Sequence, residues 1–125
     1  MYSVRVEADF AAAHFLTHYH GKCERLHGHN YRLRLWARGE TLDEGGMLLD
    51  FGILKGALRE VAAELDHRNL NDIQEFASDP SAERIAKYVF DRVSARLAQS
   101  GADPELLWAS EVYETPTSMA RYERS

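Results

Sequence analysis

The chain predicts an α+β fold of order ββααββ: an antiparallel sheet covered on one face by two helices. Three observations carry this. Two early stretches alternate apolar and charged residues with a period of two. Two later stretches space their apolar residues as helices do, and two further strand-like runs close the chain. At 125 residues it has the size of one domain, residues 1–125, with no room for a second.

Val4, Val6, Ala8 and Phe10 alternate with Arg5, Glu7 and Asp9, giving a half-buried strand that runs on to His14. Tyr31, Leu33, Leu35 and Ala37 alternate with Arg32, Arg34, Trp36 and Arg38, giving a second strand with one charged face. Residues 15–26 form a polar connection between them. Gly39, Asp43, Gly45 and Gly46 mark a turn-rich excursion. From Phe51, the recurrence of Ile53, Leu54, Ala57, Leu58, Val61, Ala62 and Leu65 predicts the first helix, with Asp50 as its cap. Asp66 to Asp72 reads as a polar connection. Asp79-Pro80 predicts an acidic cap followed by proline at the first helical position. Ile85, Ala86, Val89, Val93, Ala95 and Leu97 carry the second helix to about Gln99. Gly101 and Pro104 precede a strand from Leu106 to Thr115, and Met119 to Tyr122 form the last one. Trp36, Trp108 and Tyr113 cover sheet faces or a subunit contact.

Lys and Arg number 15 against 20 Asp and Glu, a formal charge of -5, which argues against a nonspecific nucleic-acid binder. A single cysteine makes no intrachain disulfide, so no oxidising compartment is implied. Charges near the start interrupt any signal-peptide core, and no apolar run is long enough to span a bilayer. The expectation is a cytoplasmic protein with no membrane partner.

Chemistry concentrates in the sixteen residues from His14 to His29, which hold five of the six histidines and the only cysteine. Neutral imidazole is a common metal ligand. His27 and His29 share parity with Tyr31, and His14 shares parity with Phe10, so antiparallel pairing aims three rings from one face at a common centre. Three imidazoles around Zn²⁺ leave a position open for substrate or water. His18 and His20 have three readings: replacing His14, binding phosphate, or occupying a wet loop. Cys23 reads as a small buried hydrophobe, a further metal ligand, or a thiolate acid–base group favoured by nearby positive charge. Asp66-His67 can pair only at a broken helical end or across subunits, because helical neighbours do not face each other. Glu114 reads either as a solvated strand-end carboxylate or as one needing a cationic or amide partner.

Together these residues resemble the family of 6-pyruvoyl- and 6-carboxytetrahydropterin synthases. The resemblance runs through Phe10-Ala-Ala-Ala-His14, Cys23-Glu-Arg-Leu-His27-Gly28-His29-Asn30-Tyr31, Leu49-Asp50-Phe51, Leu65-Asp66-His67, Leu70-Asn71-Asp72 and Tyr113-Glu114-Thr115. It implies a tunnelling fold, with trimers closing a barrel, two trimers stacking into a hexamer, and active sites between subunits. It also implies His14, His27 and His29 as zinc ligands, Cys23 as the catalytic thiol, Asp66 and His67 as the proton relay, and Glu114 as the carboxylate gripping the pterin. The three residues between Cys23 and His27 resemble the carboxy branch, which serves queuosine and deazapurine synthesis. That branch converts 7,8-dihydroneopterin triphosphate to 6-carboxytetrahydropterin, acetaldehyde and triphosphate. The nearest alternatives are the pyruvoyl reaction, a folate-pathway side-chain lyase, and a noncatalytic zinc-stabilised binding protein. Ser81-Ala82-Glu83 departs from the threonine- or serine-bearing pterin contact common in the family, and residues 17–22 are compressed.

Overall fold

A computed structural model describes residues 1–18, 21, 25–76 and 79–125. Strands β1 (Tyr2–His14) and β2 (His27–Gly39) form a long antiparallel pair. Helix α1 (Phe51–Leu65) follows, then a two-residue strand β3 (Arg68–Asn69), helix α2 (Ala82–Gln99), and strands β4 (Leu107–Thr115) and β5 (Ser118–Glu123). The sheet order is β3-β1-β2-β4-β5. Every pairing is antiparallel except β3, which lies parallel to β1 at Ala12 and Ala13.

The alternation places the core. Val6, Phe10, Tyr31, Leu33, Leu35 and Ala37 are buried on one sheet face. Against them pack Leu54, Leu58, Val61 and Leu65 of α1 and Ile85, Val89, Val93 and Leu97 of α2. The opposite face carries charge in pairs. Arg32 bonds Asp9 at 2.9 Å, and Arg34 lies 2.8 Å from Glu7. Trp36 donates to Glu111 at 3.0 Å. Guanidinium groups lie over the rings of Trp36, Trp108 and Tyr113.

Asp50 caps α1 as expected, accepting from the Gly52 N–H at 2.7 Å, a contact of the kind worth about 1 kcal/mol. Three details differ from the expectation. Ile53 and Ala95 are exposed, because both sit at the margin of their helical stripes, and Phe90 is buried instead. The connection after α1 is not merely polar: it contains β3 and two single 3₁₀ turns that bury Leu70, Ile73 and Phe76. Finally, Asp79-Pro80 does not start α2. Ser81 is the cap and its hydroxyl accepts from the Arg84 N–H, because the Asp79 carboxylate is taken by the segment after β1.

Candidate active site

The β1–β2 register sets His14 directly opposite His27 and leaves His29 on the same face, two residues along. The three rings meet edge to face, with centroids 4.5, 5.1 and 4.8 Å apart. One ligand nitrogen from each lies within 4.8 Å of the others.

Backbone carbonyls choose the tautomers. His14 Nδ1 lies 2.8 Å from the Pro80 carbonyl, and His27 Nδ1 lies 2.7 Å from the Arg25 carbonyl. A carbonyl only accepts, so each Nδ1 carries the proton and each Nε2 presents a lone pair. Among the described residues, the buried Nε2 atoms of His14 and His29 have no hydrogen-bond partner. Such orphans are costly unless something else satisfies them. Burial pushes the pKa of both imidazoles below the ordinary histidine value, keeping them neutral. Lone pairs, neutrality and convergence together suit a metal ion, and these residues fit one. Tyr31 forms the apolar floor, its ring 5.9 Å from that of His14 and 5.3 Å from that of His29. Burial first, and the Glu114 charge second, raise its phenol pKa.

Glu114 reaches this centre from β4. Its Oε1 is 3.8 Å from His14 Nε2 and its Oε2 is 3.8 Å from His29 Nε2. It is therefore more than a solvated strand-end carboxylate. It also borders a cavity of about 310 Å³ with Ala82, Glu83 and Ser118.

Asp66 and His67 do meet, by way of a broken helical end. Asp66 is extended at the C-terminus of α1, and His67 takes a left-handed φ of 57°. That conformation costs a residue with a side chain roughly 1–2 kcal/mol. Neighbouring contacts hold it: His67 N–H donates to the Ala11 carbonyl at 2.6 Å, and Ala11 N–H donates to Asp66 Oδ1 at 2.9 Å. Asp66 Oδ2 then lies 2.8 Å from His67 Nδ1. The Ala11 N–H first, and His67 second, draw the Asp66 pKa below the usual carboxylate value. The pair is exposed, and His67 and His29 border one cavity of about 510 Å³.

The segment after β1 is tied down twice. The Asn71 side chain bonds both the N–H and the carbonyl of Phe15, at 2.8 and 2.9 Å. Asp79 accepts from the Thr17 N–H at 2.7 Å and the Thr17 hydroxyl at 2.6 Å, and pairs with His18. These contacts, those of Thr17 foremost, hold the Asp79 pKa far below its ordinary value. His18 thus faces Asp79 and does not replace His14. Cys23 and His20 lie outside the described residues. Sequence reasoning missed Pro80, Asn71, Asp79 and the floor role of Tyr31. Only for Tyr31 was there a signal, its shared parity with His27 and His29.

The sequence profile of 6-pyruvoyl tetrahydropterin synthase matches residues 3–125. The 6-carboxy-5,6,7,8-tetrahydropterin synthase of Synechocystis sp. is 42% identical, over 98% of this chain and 93% of that protein. The enzyme of the same name from Bacillus subtilis is 36% identical, over 97% of this chain and 86% of its own length. The solved structure of Caenorhabditis elegans 6-pyruvoyl tetrahydropterin synthase superposes with a TM-score of 0.86 at 29% identity, covering 99% of this chain and 96% of that one. The five-stranded sheet with two helices is therefore the tunnelling fold of those proteins.

Proposed function

The chain belongs to the 6-pyruvoyl tetrahydropterin synthase family, and from that premise we propose that it is a 6-carboxy-5,6,7,8-tetrahydropterin synthase. Its substrate in this reading is 7,8-dihydroneopterin triphosphate, and its place is in queuosine and 7-deazapurine synthesis. Two relatives with that name, aligned over nearly the whole chain, support the reaction. The observation that carries the chemistry is the convergence of His14, His27 and His29, with two buried Nε2 atoms that have no hydrogen-bond partner among the described residues.

His14, His27 and His29 would hold Zn²⁺, which supplies positive charge to polarise the side-chain oxygens of the pterin. Pro80 and Arg25 fix the tautomers that make His14 and His27 ligands. Asp66 accepts a hydrogen bond from the Nδ1–H of His67, leaving Nε2 as the basic nitrogen, and Cys23 moves protons on the other side of the side-chain carbons. Glu114 accepts from the 2-amino and ring N–H groups of the pterin, keeping the reacting carbons in reach.

The step balances internally. The bond between the first two side-chain carbons breaks, triphosphate leaves, and a water supplies oxygen to the new carboxyl. The side chain loses two electrons overall and the dihydropterin ring gains them, so no external oxidant is needed.

The assembly in this reading is a trimer or a dimer of trimers, cytoplasmic, with residues 1–125 as one domain and sites shared between subunits. Among the described residues, β3 pairs with β1 only at Ala12 and Ala13, and β5 pairs only with β4. Both outer strands therefore have edges for another copy to cover. No helix among the described residues is long and apolar enough to cross a membrane.

Incubating zinc-replete protein with dihydroneopterin triphosphate and identifying every product tests the reading. Acetaldehyde with 6-carboxytetrahydropterin is expected, and Cys23→Ala should lower turnover about 10²–10⁴-fold while keeping its metal. Loss of triphosphate with all side-chain carbons retained would assign the pyruvoyl reaction instead.

A further inference from the structure

Among the described residues, no Asp or Glu borders the cavity of about 510 Å³ at the end of β1, in a chain with 20 acidic and 15 basic residues. Four other cavities on the molecule are each bordered by at least one carboxylate. Ala11, Ala13 and Gly28 leave the space open because their side chains are small or absent. The register pairs Ala13 with Gly28 and Ala11 with Asn30, which sets them on the sheet face away from the imidazoles. Arg68 brings charge to the cavity. It is exposed, and its Nη1 donates to the Glu64 carbonyl at 3.1 Å. Among the described residues it has no carboxylate partner, whereas Arg32, Arg92 and Arg96 each have one or more. Its Nε and Nη2 are therefore left as charged donors in a planar fork, the geometry that fits phosphate oxygens. Asn69 borders the same cavity, and its Oδ1 accepts from the Asn71 N–H at 3.1 Å, which leaves its amide N–H groups as donors.

We propose that Arg68, with the amides of Asn30 and Asn69, binds the triphosphate of the substrate in this cavity. The inference rests on the reaction proposed above, in which His67 acts at the side-chain carbons of the pterin. His67 borders this cavity too and is the neighbour of Arg68 in the chain. The triphosphate hangs from the third side-chain carbon, one beyond the bond that breaks. Phosphate oxygens thus arrive beside His67, whichever subunit's metal centre that residue serves. The nearest carboxylate in the chain, Asp66, is engaged by the Ala11 N–H and by His67. Arg68 then holds the far end of a substrate whose ring Glu114 holds at the other, and the reacting carbons are fixed between two anchors. Its charge also stabilises the triphosphate as it leaves.

Neopterin triphosphate, the oxidised and unreactive form, and neopterin, which has no phosphate, separate phosphate binding from turnover. Each is titrated into zinc-replete native protein, Arg68→Gln and Arg68→Lys, with pterin fluorescence as the readout. The native protein should bind the triphosphate more tightly than neopterin, by a margin that shrinks as salt rises. Arg68→Gln should weaken triphosphate binding about tenfold or more and leave neopterin binding unchanged. Arg68→Lys, which keeps the charge, should recover part of that loss. Equal native affinities for the two ligands would overturn the proposal, as would equal triphosphate affinities in native protein and Arg68→Gln. A variant weakened equally toward both ligands would also overturn it, showing that Arg68 only ties down the end of α1. If Arg68→Gln fails to fold by circular dichroism, labelling of native arginines with phenylglyoxal decides. Neopterin triphosphate should shield Arg68 from the reagent and neopterin should not; labelling that the triphosphate leaves unchanged overturns the assignment. A protein that passes these tests yet makes no carboxypterin loses the proposed reaction and keeps the phosphate site. One that makes carboxypterin with the same kcat/KM as Arg68→Gln keeps the reaction and loses the site.

Discussion

The site is assembled from two kinds of backbone. His14, His27 and His29 stand on paired strands, where the β1–β2 register runs unbroken from Tyr2–Gly39 to His14–His27. Asp66, His67, Asp79 and Pro80 stand on connections, held by a few individual hydrogen bonds: one to Pro80, and three to the Asp79 carboxylate. Ring positions on the strands are over-determined, since the whole ladder and the core beneath it fix them. The connection residues depend on single contacts: one Ala11 N–H for the Asp66 carboxylate, one Pro80 carbonyl for the His14 tautomer. The difference teaches that strand residues supply the convergence of the site, while connection residues supply its protonation states.

The largest expected effect breaks the strand half. His27→Ala removes a ligand and should lower metal affinity by more than the 10–100-fold that loss of an outer hydrogen-bond partner costs, roughly. Metal analysis of the purified variant checks this, and the fold should persist because His27 is outside the apolar core.

Next comes the connection half. Asp66→Asn keeps an oxygen for the Ala11 N–H but loses the charge beside His67. Turnover should fall about 10–100-fold with metal content unchanged. The same variant sharpens the comparison through pH. The Asp66 carboxyl titrates below its ordinary value in the fold, so its stabilisation is complete above the unfolded pKa of about 3.9 and is lost as pH falls through the lower folded one. Melting temperature followed downward from about pH 5 should therefore drop less steeply in Asp66→Asn than in the native protein.

The smallest effect belongs to Asp79, which touches the site only through Pro80 and the segment after β1. Asp79→Ala should weaken zinc binding by less than about tenfold. Asp79→Asn, which retains an acceptor for Thr17, should recover most of that loss. Equal zinc affinities in all three proteins would show that the tie to Thr17 does not position His14.

Much of this was legible from residue spacing. Period-two alternation gave both long strands, and parity alone put His14, His27 and His29 on one face, because strand geometry leaves a side chain only two directions. Helical spacing gave α1 and α2, and the cap at Asp50 followed from local chemistry. Asp79-Pro80 shows the limit. Its local pattern is that of a helix start, yet Thr17 claims the carboxylate and His14 claims the proline carbonyl, contacts spanning 62 and 66 positions of chain.

The sequence by itself determined the fold class, the sheet face on which the three imidazoles meet and the family, because all three are written in local periodicity and in a specific order of motifs. Only the tertiary structure decided which nitrogen of His14 and of His27 bears a proton, how Asp66 reaches His67 around a left-handed residue, and that Glu114 faces the imidazoles. Those facts rest on hydrogen bonds and approaches whose partners and geometry only the folded backbone brings together, and a residue's identity does not specify them in advance.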